Sequence, residues 1–162
     1  MRRCHTLLLV LTLLSLVGCD HATKYVAKAE LEAQPAHVVV DSIVNLRYVE
    51  NRDVAFNLLS FIPEHVRFPL LLLTGAAAIG VLVALFASGR VRGWALGGLV
   101  LFLAGALGNY LDRLVRGYVV DFIHVAYWPV FNVADVLVTL GLGLIVLQSM
   151  RPKLSAPAAP SG

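Results

Sequence analysis

The chain has 162 residues, 59% of them hydrophobic and 14% charged, with a formal net charge of +3. That balance excludes a disordered chain and fits an integral membrane protein, with room for about four spans of roughly 20 residues and none for a soluble domain of ordinary size. The excess of base is not a nucleic-acid face: Arg2, Arg3, Arg90, Arg92, Arg151 and Lys153 fall at inner positions, and all ten acids fall in the other segments, which is the positive-inside pattern.

Behind Arg2 and Arg3, residues 6–18 form an apolar run that is short for a span and suits a signal-peptide core. The run ends in Leu16-Val17-Gly18-Cys19, which has the look of a bacterial lipoprotein cleavage box. A second reading carries the helix through Asp20 and Lys24 to about Tyr25. These two charges are four apart with the acid first, the favourable helical order for an ion pair, and the lysine stem can reach the interface. On one helix, Cys4 and Cys19 lie about 22 Å apart at ~1.5 Å per residue, too far for a disulfide.

Residues 28–67 are mixed and polar. Residues 38–40 and 43–49 are β-branched runs around Asp41-Ser42, a hairpin pattern. In the second run Val44, Leu46 and Tyr48 alternate with Asn45 and Arg47. Beyond Asn51-Arg52-Asp53-Val54-Ala55-Phe56, residues 58–66 read as a short interfacial helix, with Leu58, Leu59 and Ile62 on one side. A small β platform and a surface helix resting on the bilayer are expected.

Residues 68–87 carry no charge and read as a span, with Pro69 suited to a helix start. Residues 89–93 make a tight basic turn. The next span, 93–111, has Trp94 as an inner aromatic anchor and Gly97, Gly98, Ala104, Gly105 and Gly108 as points of close helix approach. Residues 132–150 form the last span, and 151–162, rich in Ala, Pro and Ser, read as a disordered tail.

The stretch 105–135 holds most of the chemistry. A charge near hydrocarbon costs several kcal/mol or more, so ionisable groups there are functional candidates. Asn109, Asp112, Arg113 and Arg116 share a face if the helix continues that far. Asp112 is placed to hold Arg113 or Arg116, and Arg116 suits a helix end meeting headgroups. A buried amide at Asn109 and a planar guanidinium at Arg113 suit the grip of a carbonyl. Gly117 permits the turn back. Asp121 is a lone carboxylate in an extended apolar run and demands a partner or a raised pKa.

Asn132 reads as a helix cap with Asp135 three residues on. The helix dipole favours ionisation of Asp135 and leaves Asp121 to hold a shared proton. Two such carboxylates can split a peptide bond through an activated water. His5, His21, His37, His65 and His124 are scattered without metal-ligand spacing, and His124 is the one close in sequence to Asp121. A proton-coupled carrier would need charges deep in the spans, and the middles of the second and third are uncharged.

These residues carry a resemblance. Gly108-Asn109, Asp112-Arg113, Gly117, Val120-Asp121-Phe122 and Phe131-Asn132-Val133-Ala134-Asp135 together resemble the lipoprotein signal peptidases (signal peptidase II), bacterial inner-membrane aspartic proteases. Asp20 with Lys24, and Asn51 with Ala55 and Phe56, match further motifs. The resemblance runs from Asp20 to about Gly141.

It implies catalytic aspartates at Asp121 and Asp135, with support from Asp20, Lys24, Asn51, Asn109, Arg113 and Asn132. The implied fold is a mainly α membrane protein: a four-transmembrane-helix bundle with a small extracytoplasmic β cradle and a short interfacial helix. As one domain over 1–150, it would have spans at about 5–26, 68–87, 93–111 and 132–150. Segments 27–67 and 112–131 would be periplasmic, and both termini and the tail 151–162 cytoplasmic.

The implied reaction is cleavage before a diacylglyceryl-modified cysteine in a prolipoprotein. It needs no metal or organic cofactor and is blocked by globomycin-type cyclic peptides. Membrane lipids are the expected surroundings, a monomer the expected state, and nucleic acid no partner. Asp20 and Lys24 then belong to a retained first helix, and the cleavage-box look of residues 16–19 is accidental. The chain departs from the family's pattern at Asp53, where glycine is usual, and at Asn57, where a small residue is common. Glycine implies a special backbone angle or close ligand approach, so the loop near the substrate is expected to differ, and with it the grip on a globomycin-type inhibitor.

Overall fold

The structure, a computed structural model, describes residues 2–41, 43–53, 59 and 61–151. It is mainly helical, with one small antiparallel sheet. Helix α1 (Arg2–Leu31) is followed by strands β1 (His37–Val40) and β2 (Val44–Asn51), then α2 (Glu64–Ala87), α3 (Trp94–Arg116), β3 (Val119–Val125) and α4 (Val133–Ser149).

Helix α1 is unbroken for 30 residues, about 45 Å. Leu7, Leu8, Leu11 and Leu14 on its first half are exposed, as suits a surface facing lipid, whereas Asp20, Lys24 and Ala27 on its second half are buried. That spacing puts three inward-facing residues on one stripe. The helix outruns its expected end near residue 26, because its last turns have the sheet to pack against. Ala27 meets Val120 and Phe122 there, with Leu31, Leu46, Tyr48 and Tyr118 around them.

The hairpin expected around Asp41 forms, with His37 opposite Leu46 and Val40 opposite Val44. The central strand β2 pairs in turn with β3, Val49 opposite Asp121 and Asn51 opposite Val119, across an irregularity between Leu46 and Val49. Beyond β3 the chain turns at Tyr127, whose φ is 65°. It then doubles back so that Phe131 exchanges backbone hydrogen bonds with Ile123 at 2.8 and 2.9 Å. This return places Asn132 beside the strand that carries Asp121.

The expected interfacial helix is not a separate element where it is described. Residues 64–66 are the first turn of α2, capped by Pro63; Leu59 and Phe61 lie in turns, and 58 and 60 fall outside the described residues. Helix α2 therefore starts four residues before the expected 68, and Pro69 sits inside it. As the sixth residue, Pro69 lies past the four N–H groups that a helix start leaves unpaired, so it does not mark the start of α2 as expected. Helix α2 has no buried residue and among the described elements packs chiefly on α3.

Helix α3 runs past the expected residue 111 to Arg116 and ends at Gly117, whose φ of 82° is left-handed, the conformation glycine adopts without strain. It packs most closely on α4. A Cβ on Gly98 would stand 2.6 Å from the Gly141 carbonyl oxygen, and one on Gly141 the same distance from that of Gly98. The two backbones touch because neither residue has a side chain.

Among the described residues, three helices, Cys4–Leu31, Glu64–Ala87 and Trp94–Arg116, are long and apolar enough to cross a membrane, and α4 is apolar but shorter.

Candidate active site

The residues the sequence singles out converge at one end of the bundle. Asp121, third residue of β3, is 2% exposed. Its Oδ2 accepts from Asn51 Nδ2 at 2.8 Å and its Oδ1 from Asn132 Nδ2 at 2.6 Å. Burial pushes its carboxyl up to about 6; the amides of Asn51 and Asn132 pull it back and the charge of Asp135 adds to the rise.

Asn132 is the hinge of the arrangement. As the cap of α4 its Oδ1 accepts the Asp135 N–H at 3.0 Å, and its own N–H donates to Asp135 Oδ2 at 3.1 Å. This reciprocal capping box satisfies helix-end donors while the Asn132 amide reaches Asp121. One residue thus touches both carboxylates. Asn109 braces the second, its Nδ2 donating to Asp135 Oδ1 at 2.8 Å.

A buried ionic cluster lies behind this layer. Lys24, wholly buried, donates to Asn109 Oδ1 at 2.9 Å. It also pairs with Asp20 at 2.7 Å and Asp112 at 3.0 Å. Lys24 occupies the Asn109 oxygen and so fixes which way that amide faces, turning its N–H₂ towards Asp135. Asp20 Oδ1 accepts the Ala134 N–H at 2.8 Å, fastening α1 to the first turn of α4. Gly108 makes room: a Cβ there would strike Asp20 Oδ2.

Asp112 holds Arg116 at 2.9 Å and not Arg113. Arg116 is therefore part of the buried cluster's edge and not simply a headgroup contact. Arg113 takes another path, its Nη2 donating to the Asp53 carbonyl at 2.8 Å. Asp53 is buried and pairs with Arg67 at 3.1 Å; sequence spacing gave no sign of that contact. His124 stands opposite Asn45 in the sheet, and three residues along a strand put it on the face away from Asp121. Ala55, Phe56 and Asn57 lie outside the described residues.

Asn51, Asn109, Arg113, Asp121 and Asp135 line one cavity of about 850 Å³, whose other walls include Val130, Phe131 and Val138. A cleft lined by both polar and apolar groups suits a partly apolar ligand. Among the described residues, no group of three His, Cys, Asp or Glu is disposed to hold a metal ion.

The family model described as "Signal peptidase (SPase) II" matches residues 12–151. The chain belongs to the signal peptidase II family.

Signal peptidase II relatives agree along most of the length. A lipoprotein signal peptidase of Aquifex aeolicus is 41% identical, covering 69% of each chain. One of Azoarcus is 34% identical over 90% of this chain and 84% of its own. Two solved bacterial membrane enzymes, determined by the in meso method, share the fold. One has a TM-score of 0.80 at 25% identity, covering 95% of this chain and 94% of its own. The other has a TM-score of 0.77 at 26% identity, covering 88% and 92%. As a member of this family the chain is a peptidase, and with its apolar helices it is an inner-membrane protein.

Proposed function

We propose that the chain removes signal peptides from prolipoproteins, cutting before a diacylglyceryl-modified cysteine, with Asp121 and Asp135 activating the attacking water. The supporting observation is that one residue, Asn132, hydrogen-bonds both carboxylates at the wall of a single cavity. Asp135 removes a proton from water. Asp121, whose burial holds its proton to about 6, donates to the scissile carbonyl oxygen; Asp135 then passes the proton taken from water to the departing nitrogen, and Asp121 recovers its own as the carbonyl re-forms. Arg113, in the same cavity, grips a substrate carbonyl with its planar fork. The walls at Val130, Phe131 and Val138 take the apolar flank.

Helix α4, 17 residues long and so about 26 Å, is the fourth span, its shortness met by local thinning of a core roughly 30 Å thick. Both termini face the cytoplasm and the cavity opens to the periplasm. The enzyme acts as a monomer, needs no cofactor, and takes globomycin-type peptides in the same cavity.

The test is cleavage of a lipid-modified prolipoprotein by purified protein. Asp121→Asn and Asp135→Asn should each lower the rate at least ~10³-fold, the scale of a lost acid or base, while membrane insertion is unchanged. Full activity in either variant rules the mechanism out.

A further inference from the structure

We infer that Asp53 and Arg67 are positioning residues, and that the pair, by fixing one short turn after β2, sets both Asn51 against Asp121 and Arg113 into the cavity. The inference rests on the reading of Asp121 and Arg113 given above.

The N–H, carbonyl and carboxylate of Asp53 are each engaged. Its N–H donates to Asn51 Oδ1 at 2.9 Å. An amide whose oxygen is engaged presents its N–H₂ elsewhere, and Asn51 Nδ2 donates to Asp121 Oδ2 at 2.8 Å. The Asp53 carbonyl accepts from Arg113 Nη2 at 2.8 Å. Its carboxylate accepts from Arg67 Nη1 at 3.1 Å. Two arms of one residue thus reach groups that line the cavity, and the third is tied to α2.

The surroundings show the anchor is built. The Asp53 side chain is 4% exposed and that of Arg67 15%, so the pair is shielded from water. A buried carboxylate without a cation would be costly. Asp53 is not serving as a glycine substitute either: among the described residues the one non-glycine residue with positive φ is Tyr127. Where the resemblance leads one to expect glycine, this chain has a charge, and its partner comes from the second turn of α2. Helix α2 otherwise buries nothing, so the pair gives it a link to the site.

The test compares Arg67→Met, Arg67→Lys, Asp53→Ala and the double variant Asp53→Ala/Arg67→Met, following kcat against pH, with thermal unfolding to show that each is folded. Asp121 also faces Lys24 on α1, Arg113 on α3 and Asp135 on α4; none of these is altered. Each single removal should lower kcat about tenfold, the scale of a small misplacement. It should also move the alkaline limb of the profile upward, because the Asn51 donor that favours the Asp121 carboxylate is loosened.

The direction separates positioning from plain charge. Losing the arginine removes a positive charge and losing the aspartate a negative one, so a through-space effect would move the limb in opposite directions. Positioning moves both the same way. The double variant should be no worse than the worse single, since the two act through one turn, and Arg67→Lys should restore most of the rate. If Arg67→Met does not fold, Asp53→Ala and Arg67→Lys carry the comparison.

Wild-type kcat and limb in the single variants, opposite shifts, or additive losses overturn the inference. Those outcomes with inactive Asp121→Asn and Asp135→Asn sink the positioning role alone; activity in either of those two sinks the water mechanism beneath it.

Discussion

Asp121 occupies a site that resists its ionisation. Burial is the main cause, and the carboxyl is held up to about 6, well above its ordinary 3.8. As the proposed general acid, Asp121 must be protonated, so it would be competent below about 6 and lost as pH rises through that value. Cleavage should therefore decline on the alkaline side with a limb near 6, measured as kcat/KM against pH; a rate flat from 5 to about 8 would contradict the assignment.

Lys24 is enclosed by the carboxylates of Asp20 and Asp112. Lys24→Met would leave two carboxylates buried against a methyl group. Breaking a buried ion pair in this way costs about 3–5 kcal/mol, seen as a lowered unfolding temperature, with activity lost in whatever remains folded. The pairing of Lys24 with Asp20 was legible, since helical periodicity turns a spacing of four into contact. Its bond to Asn109, 85 residues on, was not, because no local period spans two helices. Arg67 and Asp53 were hidden for the same reason.

Packing of α3 on α4 sets how Asn109 meets Asp135, since one residue stands on each helix. The glycines are not equivalent. Nothing lies within 4 Å of where a Cβ on Gly97 would be, while one on Gly98 would meet the Gly141 carbonyl oxygen. Gly97→Ala should be neutral or stabilise by up to ~1 kcal/mol through helix propensity. Gly98→Leu should destabilise by about 1–3 kcal/mol as an overpacked contact and reduce activity as well. Thermal unfolding of the two variants side by side checks this.

The sequence marked this helix as rich in small residues but could not say which of them touched a neighbour. Rotational register comes from the partner. Likewise the start of α2 was misplaced by four residues because Glu64 and Arg67 lie outside the uncharged run, and Glu64 reads as part of a separate interfacial helix. They are in fact the helix's outer turns, drawn into ion pairs with Arg52 and Asp53.

Six of the seven described elements contribute to the site or its buried support: Lys24 and Asp20 from α1, Asn51 at the end of β2, Arg67 from α2, Asn109, Asp112 and Arg113 from α3, Asp121 from β3, and Asp135 from α4. The hydropathy pattern announced the apolar helices and the β-branched runs announced the hairpin. The meeting of these residues depends on the backbone return at Phe131, which has no strong signature. The orientation of the whole is testable. In a Cys19→Ser background, a membrane-impermeant maleimide added to cells with a permeabilised outer membrane should label Val39→Cys, which lies on the exposed β1 strand, and should spare Cys4. Labelling in the opposite sense would invert the proposed topology.

The unbroken course of α1 has one further consequence. The bond between Gly18 and Cys19, for all its likeness to a cleavage box, lies inside a continuous helix. A peptide group there has its N–H and C=O committed to neighbouring turns, and presenting it for hydrolysis would require several turns to be unwound. The same coil keeps Asp20 and Lys24 in place, so the enzyme's own lookalike sequence is shielded from a sister molecule by its conformation.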